Sequence, residues 1–443
     1  MAKKDKKNKR PFQLSEKQLG YTMIAPSIIL ILLVVIWPIM LSGWNSLFDY
    51  RLNDPTRSER IMSESLNMET YADNRYLIEQ SVTELSDLEP EAAEDLEAAE
   101  ATMNEYHEAL MEDEAMQEQY NEVNNRLENF EPISSGLLIA SLDGDWGSEF
   151  DQALSTHIDT IRSYQENLGE EEAVEFGYMA SQLEGLQGSV LDSNFVGAEN
   201  YAQYLTNART WTAMGNTVVF TVASVGFELI LGLSVAILIN RAFKGRGLVR
   251  TAVLVPWAIP TAVAAMMWSY LYDGQSGIVA HYMAQLGLIS DPGVLLTTAG
   301  GSMFSIILAD VWKTTPYMAL LLLAGLQTIP RSLYEAAEVD GANRWQQFVS
   351  VTLPLLKPAI LVALLFRTLD AFRVFDLIYV LTGGGPANAT ESISVYAYKA
   401  LFEQQNFGAG SALSVIVFVS VAIISVIFVK MIGSDLFAER TKR

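Results

Sequence analysis

Six blocks of apolar residues, near 22–42, 213–240, 248–271, 303–326, 358–381 and 410–432, limit what this chain can fold into. Each is roughly 20 residues or longer, enough as an α-helix to cross a hydrocarbon layer about 30 Å thick. Inside lipid every backbone amide must be satisfied within its own segment, so each block is read as a helix. The mean hydropathy of +0.20 conceals this pattern, because a long acidic segment dilutes it. The expectation is an all-α membrane protein: six transmembrane helices with a large, mainly helical extracytoplasmic insert between the first and the second.

The first block follows the basic run MAKKDKKNKR. Its apolar stretch, TMIAPSIILILLVVIWPIMLSGW, is too long for a signal-peptide core, and no A-x-A-like site closes it, so an uncleaved anchor is expected. Orientation follows from lysine and arginine in the short loops. Lys3, Lys4, Lys6, Lys7, Lys9 and Arg10 precede the first span, and Arg241, Lys244, Arg246 and Arg250 lie between the second and third. Arg331, Arg344 and Lys357 sit between the fourth and fifth, and Lys430, Arg440, Lys442 and Arg443 follow the sixth. The alternate loops, 272–302 and 382–409, carry only Lys399. Both termini are therefore expected in the cytoplasm of a multi-pass protein. The organisation reads as a basic N-terminus (1–20), a first transmembrane helix (21–43), an acidic insert (44–205), five further helices (210–433) with a cytoplasmic loop at 329–357, and a cytoplasmic C-terminus (434–443).

The insert holds 37 of the 52 acidic residues and only six basic ones, so the formal charge of -23 arises in it and the rest of the chain is net positive. Leu96, Ala99, Met103, Tyr106 and Leu110 are spaced 3-4-3-4, and Tyr120, Val123, Leu127 and Phe130 are spaced 3-4-3, seams that suit packed helices. FDQALSTHIDTIRSYQENL and EEEAVEFGYMASQLEGLQ read as two more amphipathic helices. The insert is either a solvated helical extension or a docking surface for an extracytoplasmic partner. Its charge would repel nucleic acid and anionic lipid, so no nucleic-acid partner is expected.

Searches for chemistry return little. There is no G-x-x-x-x-G-K-[ST] loop, no H-E-x-x-H and no cysteine, and His107, His157 and His281 are scattered. No catalytic residue, metal site or cofactor is expected on this chain. GGGPANAT at 383–390 reads as a flexible turn on the outer side.

The polar stretch EAAEVDGANRWQQFVSVTLP, residues 335–354, interrupts two apolar runs. Pro330 marks the start of a helix, with Ser332 as N-cap and Glu335 completing a capping box. Gly341 permits close approach or a positive-φ turn, and RWQQFVSVTL then leads back to the membrane. A short helix, a glycine corner and a second helix make a knob. Glu335, Glu338 and Asp340 make it a poor lipid binder, which favours protein contact. The spacing Glu335-Ala336-Ala337, three residues, Gly341, nine residues, then Val351-x-Leu353-Pro354 resembles the EAA signature of permease subunits from binding-protein-dependent ABC importers. Valine stands where isoleucine is commoner. VLVPWAIP, VWKTTPYMALLLLAGLQTIPRSLYEAAEVDGA and FRVFDLIYVLTGGGP are similar to the carbohydrate-uptake branch, and the resemblance covers about 200–435.

That resemblance implies a coupling helix built on Glu335, Ala336, Ala337, Gly341, Leu353 and Pro354, docked on an ATPase subunit dimer that carries ATP and Mg. It also implies a second permease subunit, an extracytoplasmic substrate-binding protein, a carbohydrate of di- or oligosaccharide size, and the plasma (inner) membrane of a bacterium or archaeon, with membrane lipid around the spans. In the maltose-type permease a large extracytoplasmic domain occupies the slot of this insert, although the acidic helical text here does not look like it.

Charges within spans are costly and usually face a polar cavity or a partner. Arg367, Asp370, Arg373 and Asp376 follow each other at i,i+3, so pairing along one helix is feasible. Alternatively Arg367 and Asp370 line the translocation path, with Ala371 and Val374 beside them. Glu228, Asp310, Trp312 and Tyr317 are further path candidates, the two aromatics being equally readable as packing or interfacial anchors. Pro256, Pro260 and Pro316 are expected to kink their spans. Two other functions fit less well. A membrane sensor would need a sizeable cytoplasmic output domain, and a lone secondary transporter would not need the knob.

Overall fold

The computed structural model describes residues 15–440 other than Asp143 and Ala242 and divides them into two units, Phe48–Val196 and the chain on either side of it. Lys3 to Arg10, Lys442 and Arg443 of the charge pattern lie outside the described residues.

Among the described residues of the membrane unit, five helices are long and apolar enough to cross a bilayer: Glu16–Asn45, Ala208–Asn240, Ala299–Leu326, Arg344–Phe372 and Phe407–Met431. The remaining span is a bent pair, Arg246–Ala258 and Thr261–Leu271, whose axes differ by 88°. Sequence predicts one span over 248–271 kinked at Pro256 and Pro260, and the helix breaks at Pro260. Proline lacks an amide hydrogen and forces the residue before it out of the helical region, and Ile259 is accordingly extended. Pro256 and Pro316 instead sit inside unbroken helices.

The fifth span is shifted toward the N-terminus relative to its apolar text. Its helix begins at Arg344, passes through a widened π turn at Phe348–Thr352, and stops at Phe372. Residues 373–375 form a turn before a separate helix, Asp376–Thr382. The second and fourth spans pack at close range through Gly232, where a β-carbon would lie 2.7 Å from Met318 Cγ and 3.2 Å from the Ala319 nitrogen. GGGPANAT is a fixed loop and not a flexible turn. Gly383, Gly384, Ala387 and Asn388 all have positive φ, Thr390 donates to the Gly385 carbonyl at 2.6 Å, and Lys399 donates to the Gly383 carbonyl at 2.9 Å.

The insert has a core of its own, with Leu66, Leu96, Met103, Val123, Phe150 and Phe176 fully buried. Five helices, Met68–Leu88, Ala93–Leu110, Glu114–Glu128, Trp146–Asn167 and Glu170–Gln187, surround it. The last two coincide with the amphipathic stretches read from sequence. The seam ending at Phe130 fails at its last member, which is 96% exposed with φ +53°. The helix has already ended at Glu128, and Phe130 occupies the left-handed position of the cap, with Glu131 N–H donating to the Arg126 carbonyl at 2.8 Å.

A small antiparallel sheet is unforeseen. β1 (Ser65–Asn67) lies between β2 (Ile139–Ser141) and β3 (Val190–Leu191), with Leu66 opposite Ala140 and Val190. The unit closes at its base where Phe48 bridges Phe195 and Asn194 bonds both the Ile61 amide and the Glu59 carbonyl. These bounds are narrower than the 44–205 read from sequence, because helix Glu199–Thr206 belongs to the membrane unit.

His107 lies 3.2 Å from the Tyr71 hydroxyl within this core. Burial, reinforced by the positive charge of Arg75, lowers its pKa to about 4. Burial shifts His157 the same way. Between the ordinary histidine pKa of 6.5 and about 4 the unfolded chain binds a proton that the folded insert refuses. Stability therefore falls as pH falls through that window and is fully present above it. His107→Gln should flatten this part of the pH profile, read by thermal unfolding of the full chain, and an unchanged slope would show that His107 plays no part in it.

Candidate functional site

The knob between the fourth and fifth spans is a helical hairpin. Helix Arg331–Val339 follows Pro330 directly, which fixes φ at the N-cap, so the box expected at Ser332 and Glu335 is absent. The capping box instead starts the second arm, where Asn343 and Gln346 bond each other's backbone amides at 2.9 and 2.8 Å. The corner is a Schellman cap: Ala342 N–H donates to the Ala337 carbonyl at 2.8 Å and Gly341 N–H to the Glu338 carbonyl at 3.0 Å. Gly341 has φ +83°, with open space around the place of a β-carbon. Its requirement is thus conformational and not one of close approach. Glu335, Ala336, Gly341, Leu353 and Pro354 are exposed and Ala337 is half-buried. Val339 and Trp345 leave apolar surface at the tip, 88% and 72% exposed.

Within the bundle, four sequence candidates meet. Arg367, 1% exposed, donates through Nε to Glu228 Oε2 at 2.5 Å and through Nη2 to Glu228 Oε1 at 2.9 Å. Its Nη2 also pairs with Asp310, and its Nη1 with Asp370 Oδ2 at 3.1 Å. Thr314 Oγ1 donates to Glu228 Oε1 at 2.6 Å. One guanidinium therefore ties the second, fourth and fifth spans together through charge-assisted bonds. The expected ladder along one helix is only partly present. Asp370 pairs with Arg367, but among the described residues Arg373 makes no ion pair with Asp370 or Asp376 and bonds the Leu369 carbonyl. The helix ends at Phe372, so Arg373 leaves the row.

Ala371 is buried in the core and Val374 packs against it. Asp370 keeps a side chain 63% exposed. Tyr317 stacks on Trp257 at 5.6 Å, and Trp312 meets Trp268 edge-on at 5.5 Å, so both candidate aromatics contact the bent pair. Sequence reasoning missed Lys313. It is buried and feels the charges of Asp310, Asp370 and Arg367 without a hydrogen bond or ion pair among the described residues. Its signal was available: a lysine in the middle of a span, one residue from Trp312. Glu391 was missed as well. It is 1% exposed and bonded by Arg209 at 2.8 and 2.9 Å and by Lys399 at 3.0 Å, which fastens the fixed loop to the start of the second span. Among the described residues no cluster of metal-ligating side chains occurs.

Apolar helices around a charged centre, with a capped hairpin projecting from one end, define the class as a multi-pass membrane protein. Residues 228–442 match the model for the binding-protein-dependent transport system inner membrane component. Among curated proteins, the chain is 48% identical over 237 residues to the trehalose/maltose transport system permease protein MalF of Thermococcus litoralis, covering 54% of this chain and 79% of the relative. It is 47% identical over 243 residues to the trehalose transport system permease protein SugA of Mycobacterium tuberculosis, covering 55% and 76%. It is 38% identical over 245 residues to the sulfoquinovosyl glycerol permease SmoG of Agrobacterium fabrum, covering 55% and 79%. The chain belongs to the family of binding-protein-dependent transport system inner membrane components, the permease subunits of ABC importers.

Proposed function

We propose that this subunit lines the translocation path for a neutral carbohydrate of di- or oligosaccharide size. A binding protein outside the membrane would deliver the sugar, and a second permease subunit would complete the path. The membrane is the plasma membrane of a bacterium or archaeon, with both termini in the cytoplasm. Power comes from an ATPase dimer that holds ATP and Mg and docks on the hairpin at Glu335, Ala336, Ala337 and Gly341. The observation that carries the reading is this hairpin. A Schellman-capped corner continuous with the fifth span is stiff enough to transmit rigid-body motion, and its exposed Val339 and Trp345 need a protein partner.

The names of the relatives support a sugar, and the charged centre refines which groups meet it. Arg367 is consumed by carboxylates, so it positions Asp370 and does not itself bind. Asp370 and Lys313 remain to accept from and donate to sugar hydroxyls, with Tyr317 and Trp312 as apolar faces. Three carboxylates against Arg367 and Lys313 leave surplus negative charge, which disfavours an anionic sugar.

The test is ATP hydrolysis by the assembled complex. Binding protein loaded with a neutral disaccharide should stimulate it, and stimulation only by a non-carbohydrate would overturn the reading. Deleting residues 60–190 should remove most of that stimulation while leaving assembly intact. Full stimulation after the deletion would show that the insert does not receive the binding protein.

A further inference from the structure

We propose that the cavity beneath the hairpin is a seat for a phosphate group, carried by an anionic phospholipid or by a free solute, and that its occupant braces the hairpin against the second span. The binding stands on geometry alone, and only its effect on transport rests on the coupling role of the hairpin.

The cavity, of about 510 Å³, lies between the end of the second span, the end of the fourth and both hairpin arms. Arg241, Arg331 and Arg344 line it. Among the described residues none of the three forms an ion pair. Glu338 is the one carboxylate on the lining, so positive charge is in surplus.

Position makes the surplus worse. Arg331 and Arg344 are the first residues of their helices, where the backbone dipole is already positive and disfavours a cation. Three of the neutral polar groups of the wall, Tyr334, Thr352 and Gln347, have partners. Tyr334 bonds Thr352 at 3.0 Å, and Gln347 donates to the Ala342 carbonyl at 3.2 Å. What is left over is Asn240 and guanidinium, whose planar donor fork matches phosphate oxygens.

The seat borders the partner side of the hairpin. Arg331, Tyr334 and Glu338 share one face; at 100° per residue Ala336 lies about 140–160° away from them and Glu335 about 40–100°. Apolar contacts from Ile237, Leu326 and Phe348 on the same lining suit a phosphate that carries acyl or glycerol carbon.

The experiment uses the assembled transporter. Native mass spectrometry in neutral detergent would compare retention of phosphatidylglycerol and phosphatidylcholine, and thermal unfolding would be followed against inorganic phosphate. Wild type should retain phosphatidylglycerol preferentially, and Arg241→Gln should weaken that by about tenfold, as expected for one lost guanidinium–phosphate contact. Arg241 lies outside the hairpin, so its variant should still recruit the ATPase. Lys244→Gln, which changes an exposed charge off the lining, should have no effect. Stabilisation by inorganic phosphate that Arg241→Gln abolishes, without a lipid preference, assigns the seat to a free phosphorylated solute. Loss of retention in Lys244→Gln equal to that in Arg241→Gln would reduce the seat to general surface charge and overturn it. So would binding seen only after the ATPase is stripped away, which would mean that a protein carboxylate fills the cavity. Neither result would touch the coupling role, which is tested separately at Gly341.

Discussion

Gly341→Asp abolishes uptake and recruitment of the ATPase subunits while the protein still inserts into the membrane: this is the expected result of altering the hairpin corner. A β-carbon at φ +83° costs on the order of 1–2 kcal/mol where the backbone is held left-handed. The corner can relieve that strain only by giving up the two hydrogen bonds that end its first arm. A new carboxylate would also stand beside Glu338 and Asp340 and repel them. Gly341→Asn separates the two effects, since asparagine tolerates left-handed backbone and adds no charge, and it should keep part of the activity. Normal co-purification of the ATPase with Gly341→Asp would count against the coupling role.

The second large effect belongs to Arg367. Arg367→Met leaves Glu228 and Asp310 buried side by side with no counterion, and breaking one partner out of a buried pair costs about 3–5 kcal/mol. Water cannot reach in to compensate within lipid, so folding of the bundle should fail or its melting temperature drop sharply. Glu228→Gln added to Arg367→Met removes one of the stranded charges and should restore part of the lost protein. The readout is the amount of folded protein in the membrane and its unfolding temperature. Wild-type accumulation of the single variant, with unchanged unfolding temperature, would show that the network contributes nothing to stability.

These two sites differ in how openly the sequence carries them. The hairpin depends on local chemistry: Pro330, the Glu335-Ala336-Ala337 run and Gly341 are neighbours in the chain, and a Schellman corner is built from backbone within a few residues. The network depends on partners 57 and 139 positions away from Arg367, and no spacing rule links them. The i,i+3 row from Arg367 to Asp376 is real in the text, but the helix stops before two of its members can use it. Apolar runs identify the spans because lipid demands them. The same runs overstate the fifth span, since LIYVLT is equally apolar in a separate short helix. Pro260 announces a break, whereas the 88° between the two pieces is set by packing. The three strands of the insert contain two or three residues each, too few for an alternation to register. Lys313 is ambiguous in the sequence, because a single lysine in an apolar run can also snorkel to the interface.

The central claim is that this subunit moves a sugar only when an attached ATPase drives it, and reconstitution tests that most directly. Liposomes holding this chain alone should show no saturable flux of labelled disaccharide. Liposomes holding it with its second permease, the ATPase pair and the loaded binding protein should accumulate sugar when ATP is supplied. Saturable sugar flux through the chain alone, without ATP, would contradict the account.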